Sequence, residues 1–519
     1  MLPRLVGSRV DLRGPLSELL FHRGVASWRF VEMALKQSVS EDTKHFSSNS
    51  TAEPYTPASY QETVAALNGL QSGARSLQNS AATPSQSKNL KESLKYLQRC
   101  GVSLDAFEEQ VPVIHVSGTK GKGSTCAICE SILRSHGYRT GLYTSPHLVN
   151  VRERIRIDGV PLSTDAFSKY FWEVYHRLGN NKEHEMDMPM YFKYLTVMAF
   201  YVFMAEKVDV AIIEVGIGGE LDCTNVLRKT PIVGITSLGL DHTQILGDTI
   251  EKIAWEKAGI MKSGSIALTI PNHQPSALQV IKERAVEKQA ELYLVPDIEA
   301  YNLDASKLTL THRLNSSLAI QLARSWIKWR ENGPKSDLIK METDLDDKTL
   351  QGILDCTWKG RFHIVRRGRH VFYLDGAHTI ESTQLCAKWF NVTAPKIGKR
   401  VLVFNTTHGR SPMNLLKAFI ASEIDVALFC SNNLSIESKK IPQDILNKNV
   451  TSSDAEKVMR HNLEVWRTLY KVGEDKSQAI FSVEETISFI DNIQDSCHVL
   501  VTGSIHLVGA VLTLIQEDM

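Results

Sequence analysis

The segment Gly118-Thr119-Lys120-Gly121-Lys122-Gly123-Ser124-Thr125 brings glycines, lysines and hydroxyls together at a spacing suited to holding phosphate. Glycines at 118, 121 and 123 let backbone amides turn toward an anion, and a helix starting at once adds partial positive charge at its N-terminus. Lys122 can then neutralise terminal phosphoryl oxygens while the Ser124 hydroxyl reaches Mg²⁺. The loop departs from the usual GxxxxGK[ST] pattern: its first glycine position falls on Val116, and Gly123 separates Lys122 from Ser124. Further along, Glu214 closes the apolar run VDVAIIEV and His242 follows PIVGITSLG. Strand ends of this kind open onto the ligand crevice of α/β sheets. A carboxylate there suits Mg²⁺, although it could also cap a turn. An imidazole is an unusual partner for that hard cation, so chemistry alone leaves His242 an ordinary polar residue.

These residues need a framework that delivers them to one edge. Val113 to Val116 reads as a short buried strand running into the glycine loop, and Ser124 to Ser135 as the helix beyond it. Strands at Val208 to Val215, Ile232 to Ser237 and Ser265 to Ile270 alternate with helices at Tyr191 to Glu206 and Thr249 to Ala258. That alternation predicts a parallel α/β sheet. The polar stretch from Pro334 to Lys348, with the segment up to Gly360, reads as a hinge. A second βα series follows through Val371 to Leu374, Arg400 to Phe404, Asp425 to Cys430 and His498 to Thr502. The expected layout is a leader and linker over 1–58, a larger domain over 59–355 and a smaller one over 356–519.

The 519 residues hold 59 Lys plus Arg against 58 Asp plus Glu, a formal net charge of +1. Nothing in that balance drives the chain to nucleic acid or to an acidic membrane, so an anionic ligand needs a local site. The longest apolar run, Leu195 to Ala205, is too short for a spanning helix, which takes about 20 residues. Eight scattered cysteines suit a reducing compartment. Cys126 and Cys129 form a lone CxxC, read as core packing in preference to metal binding. Residues 1–30 carry Arg4, Arg9, Arg13, Arg23 and Arg29 against Asp11 and Glu18, the Arg-rich, acid-poor pattern of a mitochondrial transit segment. A solvated tail is the alternative. Met33 offers an internal start, so a mitochondrial matrix form and a cytoplasmic form are both expected.

The GTKGKGS loop after a buried strand resembles the Mur ligase superfamily of ATP-dependent amide-forming enzymes. Within it, LYTSPHLVNVRERIRIDG (Leu142 to Gly159), EVGIGGELDCTN (Glu214 to Asn225), LGLDHTQILGDT (Leu238 to Thr249) and EKAGIMK (Glu256 to Lys262) are similar to the folylpolyglutamate synthase family. So are WKGRF (Trp358 to Phe362), LDGAH (Leu374 to His378) and VTGSIHLVG (Val501 to Gly509), in the same order. SYQETVAALNGLQ (Ser59 to Gln71) resembles the eukaryotic branch in particular.

The resemblance implies a P-loop ATPase-like domain followed by a smaller Rossmann-like α/β domain. It also implies ATP-driven addition of L-glutamate to the γ-carboxylate of tetrahydrofolate polyglutamates, giving ADP and phosphate. A carboxylate is too poor an electrophile for an amine, so it passes through an acyl phosphate, and each step needs cations to stabilise charge. By resemblance, Ser145, Glu214 and His242 surround a second Mg²⁺, and Lys257 is carbamylated, which requires an unprotonated amine. A surface lysine paired with Glu256 or Asp248 is the other reading of Lys257. Asn315 is expected near adenine, Arg361 on phosphate, Asp375 on ribose, and His378 at the γ-phosphate or the incoming glutamate. Arg361 closing an interdomain salt bridge stays open.

Ser504 and His506 are expected on the substrate side, and Arg152 and Arg154 along the folate tail or as an exposed charge run. A monovalent cation is allowed and a monomer is expected. After RVLVF the family carries an acidic and basic set. Here Asn405 to Ser411 retains Arg410 without an evident acid. Dihydrofolate synthase and a P-loop kinase or ATPase are the competing readings.

Overall fold

The computed structural model describes residues 59–71, 86–304, 308–333, 339–406, 410–435, 444, 452–471 and 476–516. The expected transit segment lies outside them. Eight strands form the first sheet: β1 (Val113–Ser117), β2 (Thr140–Tyr143), β3 (Ile155–Ile157), β4 (Val160–Pro161), β5 (Val210–Glu214), β6 (Ile232–Ile235), β7 (Ile266–Thr269) and β8 (Glu291–Leu294). Their order is β4-β3-β2-β5-β1-β6-β7-β8. β1 is buried at every position and lies parallel between β5 and β6, as an apolar run covered on both faces must be. Only the short β3–β4 hairpin at one edge runs antiparallel.

The second sheet comprises β9 (His363–Arg367), β10 (His370–Leu374), β11 (Lys399–Phe404), β12 (Val426–Cys430), β13 (Ser477–Ile480) and β14 (Cys497–Thr502). Its order is β13-β12-β11-β14-β10-β9, parallel except for the β9 edge.

The helix Lys122–Ser135 springs directly from the glycine loop. Its Ile128 and Ile132 share one buried cluster with Leu318 and Trp326 of the helix Leu310–Asn332 and Ile353 of the helix Asp347–Asp355. Here the structure departs from the sequence reading. Part of the segment expected as a hinge is the helix Asp347–Asp355, capped by Asp346. It is fastened to the larger layer by Ile353 and by a hydrogen bond between His136 Nε2 and Thr349 Oγ1 of 3.1 Å. Residues 334–338 of that stretch lie outside the described residues.

All eight cysteines are buried and unpaired with one another. Burial raises the thiols of Cys126 and Cys129 far above their ordinary range, in keeping with packing in a helix. No helix among the described residues is long and apolar enough to cross a membrane.

Candidate functional site

Parallel strands deliver their C-terminal ends to one edge, and here the loops after β1, β2, β5 and β6 meet the loop after β10 around a cleft of about 1330 Å³. The glycine loop is its floor. Gly118 sits at φ +143°, and a Cβ there would fall 1.8 Å from Thr236 Oγ1, so only glycine lets β1 turn against the end of β6. Lys122 Nζ and Lys257 Nζ both donate to the Gly118 carbonyl, at 3.1 and 2.8 Å. Lys257 is only 4% exposed, which excludes the surface-lysine reading. Burial first, then the charge of Lys122, lower its pKa to about 7. Ser124 lies buried in the first turn of the helix and lines the cleft.

Glu214 ends β5 inside the cleft and accepts the Ser145 amide at 2.9 Å. Burial raises its carboxyl above the ordinary range, against the pull of the Lys122 charge. A side chain at Gly123 would stand 3.3 Å from Glu214 Oε2, so the carboxylate lies hard against the phosphate loop. Ser145 precedes a cis peptide to Pro146. His242 lies on the cleft wall at φ +52°, its amide donating to Asp241 Oδ1 at 3.0 Å.

The residues present fit a magnesium ion in one respect. Ser124 and Glu214 are hard oxygen donors beside a phosphate loop, and Mg²⁺ completes its sphere with water and substrate phosphate. Among the described residues, no three His, Cys, Asp or Glu side chains gather to hold a metal by themselves.

The strongest polar feature was not singled out from sequence. Asp241 is a hub: Lys120 Nζ stands 3.2 Å from its Oδ2, His378 Nε2 3.7 Å, and Arg410 3.8 Å from its Oδ1. Lys120 also lies 2.8 Å from His378 Nε2, while His378 Nδ1 is 2.8 Å from the Gly376 carbonyl. The ammonium donates to Nε2, so Nδ1 carries the proton that goes to Gly376. Burial lowers His378 to about 4 and Lys120 to about 8, which keeps the imidazole neutral. Arg410, from the loop after β11, thus faces Asp241 across the cleft. Lys120 lies inside GTKGKGS and Asp241 inside LGLDHTQILGDT. Their signal was a cation in the phosphate loop and a carboxylate at a strand end, overshadowed by Lys122 and His242.

The remaining candidates divide. Asn315 reaches the phosphate-loop helix, its Oδ1 3.5 Å from Thr125 Oγ1. Asp375 is buried, accepts the Phe362 amide at 3.0 Å and faces the Arg361 charge. It shapes the WKGRF turn as well as the cleft wall. Arg152 donates to the Leu162 carbonyl at 2.6 Å, and Arg154 Nε to His147 Nδ1 at 2.9 Å. Both line the cleft, and Arg154 is 8% exposed, which removes the exposed charge run. From the turn after β14 the cleft takes Ile505; Ser504 is buried, and neither it nor His506 is among the lining residues. Of Asn405 to Ser411, residues 407–409 lie outside the described residues.

A parallel sheet carrying a glycine-rich phosphate loop and a buried strand-end carboxylate, with a second α/β sheet meeting it at the cleft, defines the Mur-ligase-like class. No protein-family model matches the chain. The mitochondrial folylpolyglutamate synthase of Bos taurus is 41% identical over 451 residues, covering 82% of this chain and 73% of its own. That of Homo sapiens is 43% identical over 408 residues, covering 73% and 69%. In structure the chain is similar to E. coli FolC in complex with DHPP and ADP, with TM-score 0.64 and 25% identity over 90% of this chain and 100% of that one. The chain belongs to the folylpolyglutamate synthase family.

Proposed function

We infer that this protein is an ATP-dependent ligase that adds L-glutamate to the γ-carboxylate of tetrahydrofolate and its polyglutamates, releasing ADP and phosphate. The observation that carries the reading is the convergence on one cleft of the phosphate loop, the buried Glu214 and the Lys120–His378–Arg410 cluster on Asp241. A kinase or ATPase needs the first of these and has no use for the last. In the reaction, a carboxylate oxygen of the folate attacks the γ-phosphorus and ADP leaves. The glutamate amine then attacks the acyl carbon, loses its proton, and phosphate departs.

Lys122, the amides after Gly118, Gly121 and Gly123, and Arg361 stabilise phosphoryl oxygens. Asn315 faces adenine and Asp375 the ribose. Ser124 and Glu214 would hold one Mg²⁺, and Ser145, Glu214 and His242 a second, each supplying Lewis-acid neutralisation of phosphate charge. Lys257 is taken as carbamylated, since a buried amine lowered to about 7 is free to react with CO₂ at neutral pH. An intact mass in bicarbonate that lacks one CO₂ relative to Lys257→Arg would leave it a direct phosphate contact.

His378 belongs to the γ-phosphate and glutamate side, Arg410 to the glutamate, and Arg152 and Arg154 to the folate. Ser504 and His506 support the substrate side from behind the wall. A monovalent cation is compatible with this set. The two sheets correspond to domains meeting near Asp355, in a monomer directed to mitochondria with a cytoplasmic form starting at Met33.

The test is incorporation of labelled glutamate into tetrahydrofolate by the purified protein with ATP and Mg²⁺, with dihydropteroate in parallel. Successive additions to tetrahydrofolate are expected. Addition to dihydropteroate alone makes the protein a dihydrofolate synthase, and ATP turnover without transfer to either makes it an ATPase.

A further inference from the structure

The loop from Ser145 to Arg154 lines the cleft, yet its backbone is held from behind. At its mouth the Thr144 amide donates to the Arg154 carbonyl at 3.0 Å, and the Ser145 amide to Glu214 at 2.9 Å. Within it, one carboxylate gathers three successive amides. Glu153 Oε2 accepts Leu148 N at 2.9 Å, while Oε1 accepts Val149 N at 3.0 Å and Asn150 N at 2.8 Å. A capping box needs only the Asn150 bond. The other two fall on residues that have left the first layer: Leu148, 7% exposed, belongs to the buried cluster of the second sheet with Val508 and Leu512, and Val149 packs on that cluster. The seat is tight, for a Cβ on Gly509 in the helix Ile505–Gln516 would fall 1.8 Å from the Leu148 carbonyl oxygen.

We propose that Glu153 is a positioning residue: its carboxylate clamps the backbone at the Leu148 peg, so that docking on the second layer at Gly509 fixes the cleft loop that carries Ser145, Arg152 and Arg154. Three charge-assisted bonds to adjacent amides leave that backbone one conformation. The clamp is directional. In Glu153→Gln the amide oxygen can keep Val149 and Asn150, but the amide NH₂ faces the Leu148 N–H, donor against donor. The peg alone is released.

The inference rests on the functional reading above only for what the loop serves, so the test has two arms. Hydrogen exchange at the Leu148 amide should accelerate in Glu153→Gln while Val149 and Asn150 change less, whatever the acceptor is. Steady-state assays should then show KM for tetrahydrofolate raised about tenfold, the effect of one lost charged hydrogen bond, with KM for ATP and the melting temperature close to wild type. Gly509→Ala, which leaves Glu153 intact but forces the Leu148 carbonyl aside, should raise KM for tetrahydrofolate with KM for ATP close to wild type, at a melting temperature lowered by the clash. Unchanged exchange at Leu148 overturns the clamp. KM for ATP and for folate rising together with a lowered melting temperature reduces Glu153 to a structural residue. If the wild type transfers no glutamate to tetrahydrofolate, the functional reading falls while the exchange result still decides the clamp.

Discussion

Lys257 shows how burial converts a charge into a reactive group. Its ammonium falls from an ordinary 10.5 to about 7, through burial and the charge of Lys122. Between those values the unfolded chain binds the proton that the folded one has lost, so stability rises with pH across that window. Below about 7 both states carry the charge and the folded state bears it buried, a cost of a few kcal/mol at about 1.4 kcal/mol per pKa unit, offset in part by the bond to Gly118. In buffer free of bicarbonate, where the amine is unmodified, Lys257→Met should therefore be more stable than wild type below about pH 7 and lose that advantage toward pH 10. Denaturant titrations across the range check it, and a gap that ignores pH would show that the amine is not desolvated. Glu214 is the opposite case, a carboxyl raised by burial that needs a cation to ionise. Glu214→Ala should keep a native circular dichroism spectrum and lose at least about a hundredfold in turnover, a Lewis-acid contribution being worth several kcal/mol. Unimpaired turnover at ordinary Mg²⁺ would take Glu214 out of the metal site.

Elements with a strong apolar period are legible in the sequence itself. β1 and β5 read directly from VIHV and VDVAIIEV, because central parallel strands are buried on both faces and must be apolar throughout. The missed strands are short or edge strands: Thr140–Tyr143 contains a glycine, Ser477–Ile480 is half polar, the β3–β4 hairpin spans a few residues, and Glu291–Leu294 and His363–Arg367 each close an edge. Pairing with a neighbour decides these, and a single sequence does not display neighbours. The glycine loop was legible for a different reason, since its function needs backbone geometry that few sequences can supply. Gly118→Ala tests that need. A Cβ must move Thr236, and φ +143° is strained for any L side chain, at a cost of about 1–3 kcal/mol. ADP affinity by calorimetry should drop at least about tenfold, with a melting temperature lower by several degrees. An alanine variant that binds ADP normally would mean that the β1–β6 turn can relax around the methyl.

For the whole molecule, the sequence marked many of the residues that line the cleft, though not Lys120 or Asp241, and withheld how its two layers meet. Arg410 and His378 follow strands of the second sheet, Lys120 and Asp241 strands of the first, and no spacing in the chain announces that they converge. The convergence is electrostatic. Burial pushes the Asp241 carboxyl up, but the charge of Lys120 and the other positive charge around it outweigh it and hold the group well below the usual carboxylate range. A depressed carboxyl contributes stability in full above its unfolded value of 3.8 and loses it only as pH falls below that. Asp241→Asn would leave Lys120, Arg410 and His378 facing one another with no counter-charge. Breaking a buried ion pair costs about 3–5 kcal/mol, and the partial exposure of Lys120 and Arg410 reduces that to about 2 kcal/mol. Asp241 raises the Lys120 value, so its loss lowers that value below about 8, and the wild-type advantage should be largest near about pH 5 to 6, fall as pH rises toward about 8 and be gone above it. Glutamate transfer should fall at least about tenfold, because the cations that face the reacting groups lose their common anchor. Unfolding profiles that coincide for the two proteins at pH 6 would show that apolar packing at the Leu148 seat holds the layers together without the hub.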